Sequence, residues 1–125
     1  MDKKIRILVV DDHPLMREAL QTALNQEADL EVVGEASDGL EALSAVEKFQ
    51  PDIILMDLLM PGMGGLETIS RLFDANPQVR ILVMTSMESE EQILAAIQAG
   101  ALGYFPKTAP RAYLLEAIRK VTDGI

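Results

Sequence analysis

Two hydrophobic rhythms alternate along this 125-residue chain, and the alternation restricts it to a small set of folds. Short, nearly unbroken apolar runs occupy residues 5–10, 53–56 and 81–84, with a weaker one at 102–105. Rich in Ile, Val and Leu, they suit parallel strands covered on both faces. Residues 30–36 read Leu-Glu-Val-Val-Gly-Glu-Ala, half polar with an internal Gly, which suits a sheet edge. Helix-period stretches lie between the runs. Residues 14–26 place Met16, Leu20, Ala23 and Leu24 on one face, and 39–49 place Leu40, Leu43 and Val46. Residues 65–75 carry Ile69, Leu72 and Phe73, residues 90–99 carry Ile93, Leu94 and Ile97, and 111–121 carry Leu114, Ala117, Ile118 and Val121. Leu15 and Leu115 fall off these core stripes and are expected at the surface. Five strand-helix units of about 25 residues leave room for a crossover helix each, which predicts an α/β fold: an open parallel sheet with helices on both faces. One domain over residues 1–125 is expected, without linker or repeat, and the closing Thr-Asp-Gly-Ile reads as a helix stop at Gly124 before a domain boundary or linker.

Composition removes whole classes of function. Eleven Lys and Arg against twenty Asp and Glu give a formal charge of −9, which repels nucleic-acid phosphates, so any DNA contact must come from residues outside this chain. The absence of Cys excludes disulfides, thiolate metal sites and cysteine nucleophiles, and a single His, His13, excludes multi-His metal sites. No apolar run approaches the roughly 20 residues that span a bilayer, and the chain enters its first strand without a signal peptide's apolar region; a soluble, cytoplasmic protein is the expectation.

In open α/β sheets, ligands sit at the carboxyl ends of the strands. At those ends this chain has Asp11 and Asp12, then Asp57, then Thr85 and Ser86, then Lys107. Each alone has a simpler reading: Asp as a helix cap or turn residue, Thr as a turn hydroxyl, Lys as a solvated charge. Their joint occurrence carries the weight, because Asp11 and Asp12 cannot both cap one helix. Converging carboxylates repel unless a cation intervenes, and hard oxygen ligands favour Mg2+ or Mn2+. Lys107 and Thr85 could then hold an anion sharing that metal, as in phosphoryl-transfer sites, and Asp57 could itself be the nucleophile. His13 reads as a packing or capping residue, and Gly64 and Gly65 as relaxing the loop after Pro61.

Four strings carry a resemblance. Leu8-Val-Val-Asp-Asp-His-Pro, Asp57-Leu-Leu-Met-Pro-Gly-Met-Gly-Gly, Val83-Met-Thr-Ser and Gly103-Tyr-Phe-Pro-Lys107 look like the receiver domain of bacterial two-component response regulators, over about residues 5–122. Asp11-Asp-His-Pro-Leu and Gly34-Glu-Ala-Ser-Asp-Gly-Leu-Glu-Ala-Leu resemble the NarL/FixJ (LuxR-type) transcriptional regulators. The resemblance implies a flavodoxin-like (βα)5 doubly wound sheet of strand order 2-1-3-4-5. It implies that Asp57 is the phosphoacceptor for a sensor histidine kinase, and that Asp12, Asp57 and the Leu59 carbonyl hold Mg2+, with Asp11 orienting the metal's waters. Thr85 and Lys107 would bind the phosphoryl group and catalyse its transfer with Asp57, and Thr85 and Tyr104 would form the switch. A homodimer on phosphorylation, and an output domain with a DNA-binding helix-turn-helix beyond this chain, belong to the same picture. The domain would catalyse its own phosphorylation and dephosphorylation without being a conventional enzyme, and no membrane partner is implied.

Two features strain the pattern. Thr108 stands where receivers place a Pro after the Lys, so a cis bond there would cost roughly 2.5 to 4 kcal/mol. Leu59 and Met87, each two residues beyond a site residue, are large and apolar, and could shield an acyl phosphate from water or simply pack together. Other functions fit less well. An aspartate-nucleophile phosphohydrolase commonly needs a second acid where Leu59 stands, and a flavodoxin-like cofactor site would meet repulsion from Asp11 and Asp12. A phosphorylation-independent, receiver-like interaction module is the nearest alternative, although such versions usually lose an acid or the Lys.

Overall fold

The computed structural model describes residues 3–60, 62–85 and 90–123. Along the chain run β1 (Ile5–Val10), α1 (Pro14–Asn25), β2 (Leu30–Ala36), α2 (Gly39–Phe49), β3 (Ile53–Asp57), α3 (Gly65–Ala75), β4 (Ile81–Thr85), α4 (Glu90–Ala99), β5 (Gly103–Pro106) and α5 (Arg111–Val121). The strands form one parallel sheet of order β2-β1-β3-β4-β5. The five-unit reading and the strand order both hold. β3 and β4 each run one residue further than their apolar runs, so Asp57 and Thr85 are the last residues of their strands.

Alternate strand residues feed two cores. Leu8, Val10, Ile54, Met56, Ile81 and Val83 pack against α2, α3 and α4 on one face. Ile7, Val9, Ile53, Leu55, Leu82 and Met84 pack against α1 and α5 on the other. Burial on both faces is why these runs contain no polar interruption. β2, at the edge, carries a bulge: Ile7 pairs with Val32 and Leu8 with Gly34, leaving Val33 out of register. A Cβ on Gly34 would stand 2.7 Å from the Phe49 ring, so the missing side chain lets the end of α2 settle on the strand.

Four helices depart at one position or more from the faces the periodicity predicts. α2 turns Gly39, Ala42 and Ala45 inward and leaves Leu40 two-thirds exposed. The cause is close approach: a Cβ on Gly39 would collide with the Thr68 hydroxyl of α3, so only small residues fit this seam. In α4 only Ala96 is buried, while Leu94 and Ile97 face outward. Phe73 of α3 is likewise partly exposed and lies over Gly100. Leu115 departs in the other direction, because the inner face of α5 is wide enough to bury it beside Leu114 and Ile118. Leu15 is exposed, as expected.

At the opposite end of the sheet from the acids, Arg119 pairs with Glu27 (3.0 Å) and Asp29 (2.8 Å), and Arg111 with Glu27 (2.9 Å), pinning α5 to the α1–β2 loop. Hydrogen bonds from Arg119 and Arg111 hold the Glu27 carboxyl below its ordinary value, and one from Arg119 does the same for Asp29. Depressed carboxyls contribute stability above their unfolded pKa that fades as pH falls through the folded one.

The glycines at the start of α3 give a direct test of packing. A Cβ on Gly65 would lie 2.7 Å from Leu58 Cα and 2.8 Å from its carbonyl oxygen, so this glycine serves close approach rather than loop relaxation. Pro61 lies outside the described residues. Gly64, the N-cap, has open space and makes no side-chain cap. In urea denaturation Gly65→Ala should lose about 2 kcal/mol through overpacking, whereas Gly64→Ser should gain a few tenths by supplying a cap oxygen.

Candidate functional site

Strand register assembles the site. Val10 of β1 pairs with Met56 of β3, so the next residues, Asp11 and Asp57, emerge side by side at the carboxyl edge. Asp57 pairs with Met84, which puts Thr85 one step further along the neighbouring strand, and Thr85 pairs with Pro106. The Lys107 N–H donates to the Thr85 carbonyl at 2.8 Å, and from there its side chain crosses back toward β1 and β3. Its Nζ lies 2.8 Å from Asp11 Oδ2 and 3.0 Å from Asp57 Oδ2. No cis peptide occurs among the described residues, so the bond before Thr108 is trans.

Both carboxylates are buried, Asp11 at 0% and Asp57 at 1% exposure, which makes the ammonium indispensable. Burial is the largest single influence on Asp11 and pushes its carboxyl up. Hydrogen bonds from Lys107 and from the His13 backbone and ring, with the Lys107 charge, outweigh it and bring the carboxyl below its ordinary value. For Lys107 burial is again the largest influence and pushes down, but Asp11 and Asp57 together raise it above 10.5. Asp11 contributes stability above its unfolded pKa that is lost as pH falls through the lower folded value, and Lys107 contributes below 10.5 and loses it as pH rises through the higher one. The pairing therefore persists across the neutral range.

Asp57 Oδ1 accepts a 3.1 Å hydrogen bond from the Leu59 N–H, which orients the carboxylate. The Leu59 side chain is partly exposed, and Met87 and Ser86 lie outside the described residues. Thr85 is buried and opens onto a cavity of about 520 Å3 shared with Tyr104, Ile93, Pro106 and Tyr113. Tyr104 is half exposed beside that cavity. The expected residues thus come together as Asp11, Asp57 and Lys107 in direct contact, Asp12 adjacent, Thr85 at the end of the next strand and Tyr104 within β5 beside the same cavity.

Two residues at this edge make contacts with the acids that the sequence reading did not assign. His13 occupies the N-cap position of α1, as one of its two readings had it, but its side chain makes no cap hydrogen bond; it is 66% exposed, and its Nδ1 lies 3.0 Å from Asp11 Oδ1 and 3.1 Å from Asp12 Oδ1. Arg17 reaches back from α1 to donate to the Asp11 carbonyl (2.7 Å) and to Glu35 Oε1 (2.8 Å), tying the acidic loop to β2. The contiguous Asp-Asp-His was the available signal for the first. Nothing in the sequence marked the second.

Among the described residues one ammonium serves Asp11 and Asp57, and no lysine or arginine pairs with Asp12. Asp12 Oδ1 is buried and accepts no hydrogen bond. Ligand atoms of Asp11, Asp12, His13 and Asp57 all lie within 4.8 Å of one another. An orphaned carboxylate oxygen inside a cluster of acids is what a divalent cation would satisfy, so the residues present fit a hard metal ion.

Residues 7–119 match the model of the response regulator receiver domain. The chain belongs to that family. It is 40% identical over 120 residues to the transcriptional regulatory protein LiaR of Bacillus subtilis and 41% identical over 121 residues to the oxygen regulatory protein NreC of Staphylococcus aureus. Each match covers 96% of this chain but only 57% and 56% of the relative, so the chain spans little more than half their length. The signal receiver domain of NarL from Mycobacterium tuberculosis superposes with a TM-score of 0.92 at 33% identity, covering 98% of this chain and 99% of that one. As a receiver the chain is a signalling module rather than a conventional enzyme. Among the described residues no helix is long and apolar enough to cross a membrane.

Excess negative charge at the site has a measurable cost. In metal-free buffer Asp12→Asn should stabilise the fold by about 1 kcal/mol, since it removes a charge that lacks a cationic partner. Adding Mg2+ should raise the melting temperature of the unsubstituted protein and leave that of Asp12→Asn nearly unchanged.

Proposed function

We propose that this receiver takes a phosphoryl group on Asp57 from the phosphohistidine of a sensor kinase and converts it into a change of surface at α4, β5 and α5. The contact that carries the reading is Asp57 against Lys107 at 3.0 Å, with its other oxygen held by the Leu59 N–H. A carboxylate fixed at both oxygens is oriented for attack, and an oxygen–phosphorus bond forms as the phosphorus–nitrogen bond to the imidazole breaks. Asp12, Asp57 and the Leu59 carbonyl would hold Mg2+ or Mn2+, with Asp11 orienting its waters. When bound, the metal supplies neutralisation of charge on the phosphoryl oxygens. The Lys107 ammonium pairs with one of those oxygens and the Thr85 hydroxyl donates to another. Those two residues with Asp57 are the catalytic groups of self-phosphorylation and dephosphorylation.

Phosphorylation adds about 1.5 to 2 negative charges to the site. Thr85 moves toward the phosphoryl group and vacates room, and Tyr104 turns from its half-exposed position into the adjoining cavity. The modified surface favours a homodimer or frees an output domain. Similarity to LiaR and NreC, whose lengths exceed this chain's, supports a transcriptional output through a helix-turn-helix segment beyond residue 125. The acidic receiver would make no DNA contact of its own.

Incubation with Mg2+ and acetyl phosphate should give one acid-stable, base-labile phosphate by mass spectrometry, and Asp57→Asn should give none. Equal labelling of that variant would overturn the assignment. With a beryllofluoride mimic, amide exchange in residues 90–121 should slow in the unsubstituted protein and change much less in Thr85→Ala. A bound mimic that left exchange and sedimentation unaltered in the unsubstituted protein would refute the switch.

A further inference from the structure

The loop that joins β1 to α1, residues 11–13, is braced from outside its own segment. The peptide groups on either side of Asp11 are both held. Its N–H donates to the Ala36 carbonyl at the end of β2, at 3.0 Å. Its carbonyl accepts from Arg17 Nη1 at 2.7 Å, and Arg17 Nε donates in turn to Glu35 Oε1 of β2 at 2.8 Å. A peptide group is planar, so fixing the Asp11 carbonyl fixes the direction in which the chain enters Asp12. We infer that Arg17, braced on Glu35, is a positioning residue that aims Asp12 and so sets how tightly the loop takes a divalent cation. The inference rests on that loop being the receiver's metal site.

A charged residue on the first turns of a surface helix ordinarily keeps its head in water. The Arg17 side chain is only 17% exposed, and its guanidinium serves two acceptors on two different segments. A planar, forked group can span them, where a lysine's compact ammonium reaches one. The Arg17 backbone is fixed as well, since its N–H donates to the His13 carbonyl at 3.1 Å. Asp12, by contrast, has a buried Oδ1 that accepts no hydrogen bond and only the His13 ring beside it. Its aim is therefore left mainly to the backbone that Arg17 holds. A simple charge effect would act the other way. A cation next to the acidic loop repels incoming Mg2+, so removing Arg17 would tighten binding by charge alone, whereas loss of the brace weakens it. The two roles differ in sign.

Titration of the whole chain with Mg2+, followed by amide chemical shifts, tests the assignment in Arg17→Met, Arg17→Lys, Glu35→Ala and Asp12→Ala. Arg17→Met should weaken Mg2+ binding about ten-fold, Arg17→Lys about five-fold despite its retained charge, and Glu35→Ala about three-fold. Combining Arg17→Met with Glu35→Ala should cost no more than Arg17→Met alone, because the pair acts as one brace. Labelling of Arg17→Met by acetyl phosphate should need about ten-fold more Mg2+ for half its maximal rate, yet come within about two-fold of the parent at saturation. Tighter Mg2+ binding in Arg17→Met, or opposite effects of the two single variants that cancel in the double, would reduce Arg17 to a charge effect and overturn the inference. Glu35 is 44% exposed, so Glu35→Ala reads the brace even if Arg17→Met fails to fold: a loss of Mg2+ affinity supports the inference and an unchanged affinity overturns it. If Asp12→Ala loses Mg2+ while the Arg17 and Glu35 variants keep it, the inference fails and the metal site stands. If Asp12→Ala binds Mg2+ as the parent does, the metal site itself is misplaced and the inference falls with it.

Discussion

The ammonium of Lys107 between Asp11 and Asp57 is the interaction on which the carboxyl edge of this molecule depends. Two fully buried carboxylates a few ångströms apart cannot both stay ionised without a cation, and the penalty for an unpaired buried charge is several kcal/mol. Lys107 meets that demand from fifty residues away in sequence relative to Asp57. It therefore joins β1, β3 and β5 by charge, where hydrogen bonds alone link only neighbours in the sheet. A pairing that already stabilises the resting fold can be redirected toward a new anion with little rearrangement, which would suit the phosphorylation proposed at Asp57.

Reaching that geometry depends on features remote from the acids. The edge bulge at Val33, the bare surface of Gly34 under Phe49 and the small-residue seam of Gly39, Ala42 and Ala45 let α2 approach the sheet and α3 closely. Gly65 lets the first turn of α3 sit against Leu58, directly after Asp57. Side chains are excluded at these points because the Phe49 ring, the Thr68 hydroxyl and the Leu58 backbone occupy the space, so packing on this face constrains the loop that carries Asp57 and Leu59. The other face, where α1 and α5 cover the sheet, is held by larger residues such as Leu20, Leu24, Leu114 and Ile118, and is tied at its far end by Arg119.

The acidic loop shows a balance between stability and readiness for a ligand. Asp11 is paired with Lys107, hydrogen-bonded by His13 and anchored through its carbonyl by Arg17. Asp12, next in the chain, has a buried oxygen without a hydrogen bond. Asp11 Oδ2 has the Lys107 ammonium beside it, whereas Asp12 Oδ1 has only the His13 ring, so an added cation would be satisfied chiefly through Asp12. Burial and charge thus give two adjacent identical residues different surroundings.

Much of this was legible from the residues alone. Solid aliphatic runs separated by helix-period stretches determined an α/β sheet covered on both faces, since a strand buried on both sides admits no polar residue and a crossover needs a helix's length. The strand-end acids, Thr85 and Lys107 could be selected because that edge is where backbone ends converge. Which side of a helix faced inward was less accessible. Periodicity favoured Leu40, Leu94 and Ile97 as core, yet the fold buried Ala42, Ala45 and Ala96; for α2 the close approach of the Thr68 hydroxyl at Gly39 decides that a leucine does not fit the seam. His13 and Arg17 escaped for a related reason: their partners are set by where the β1–α1 loop turns, and one-dimensional spacing carries no direction. Local hydrophobic pattern is a property of the chain, whereas who pairs with whom across a buried edge exists only after the strands are in register.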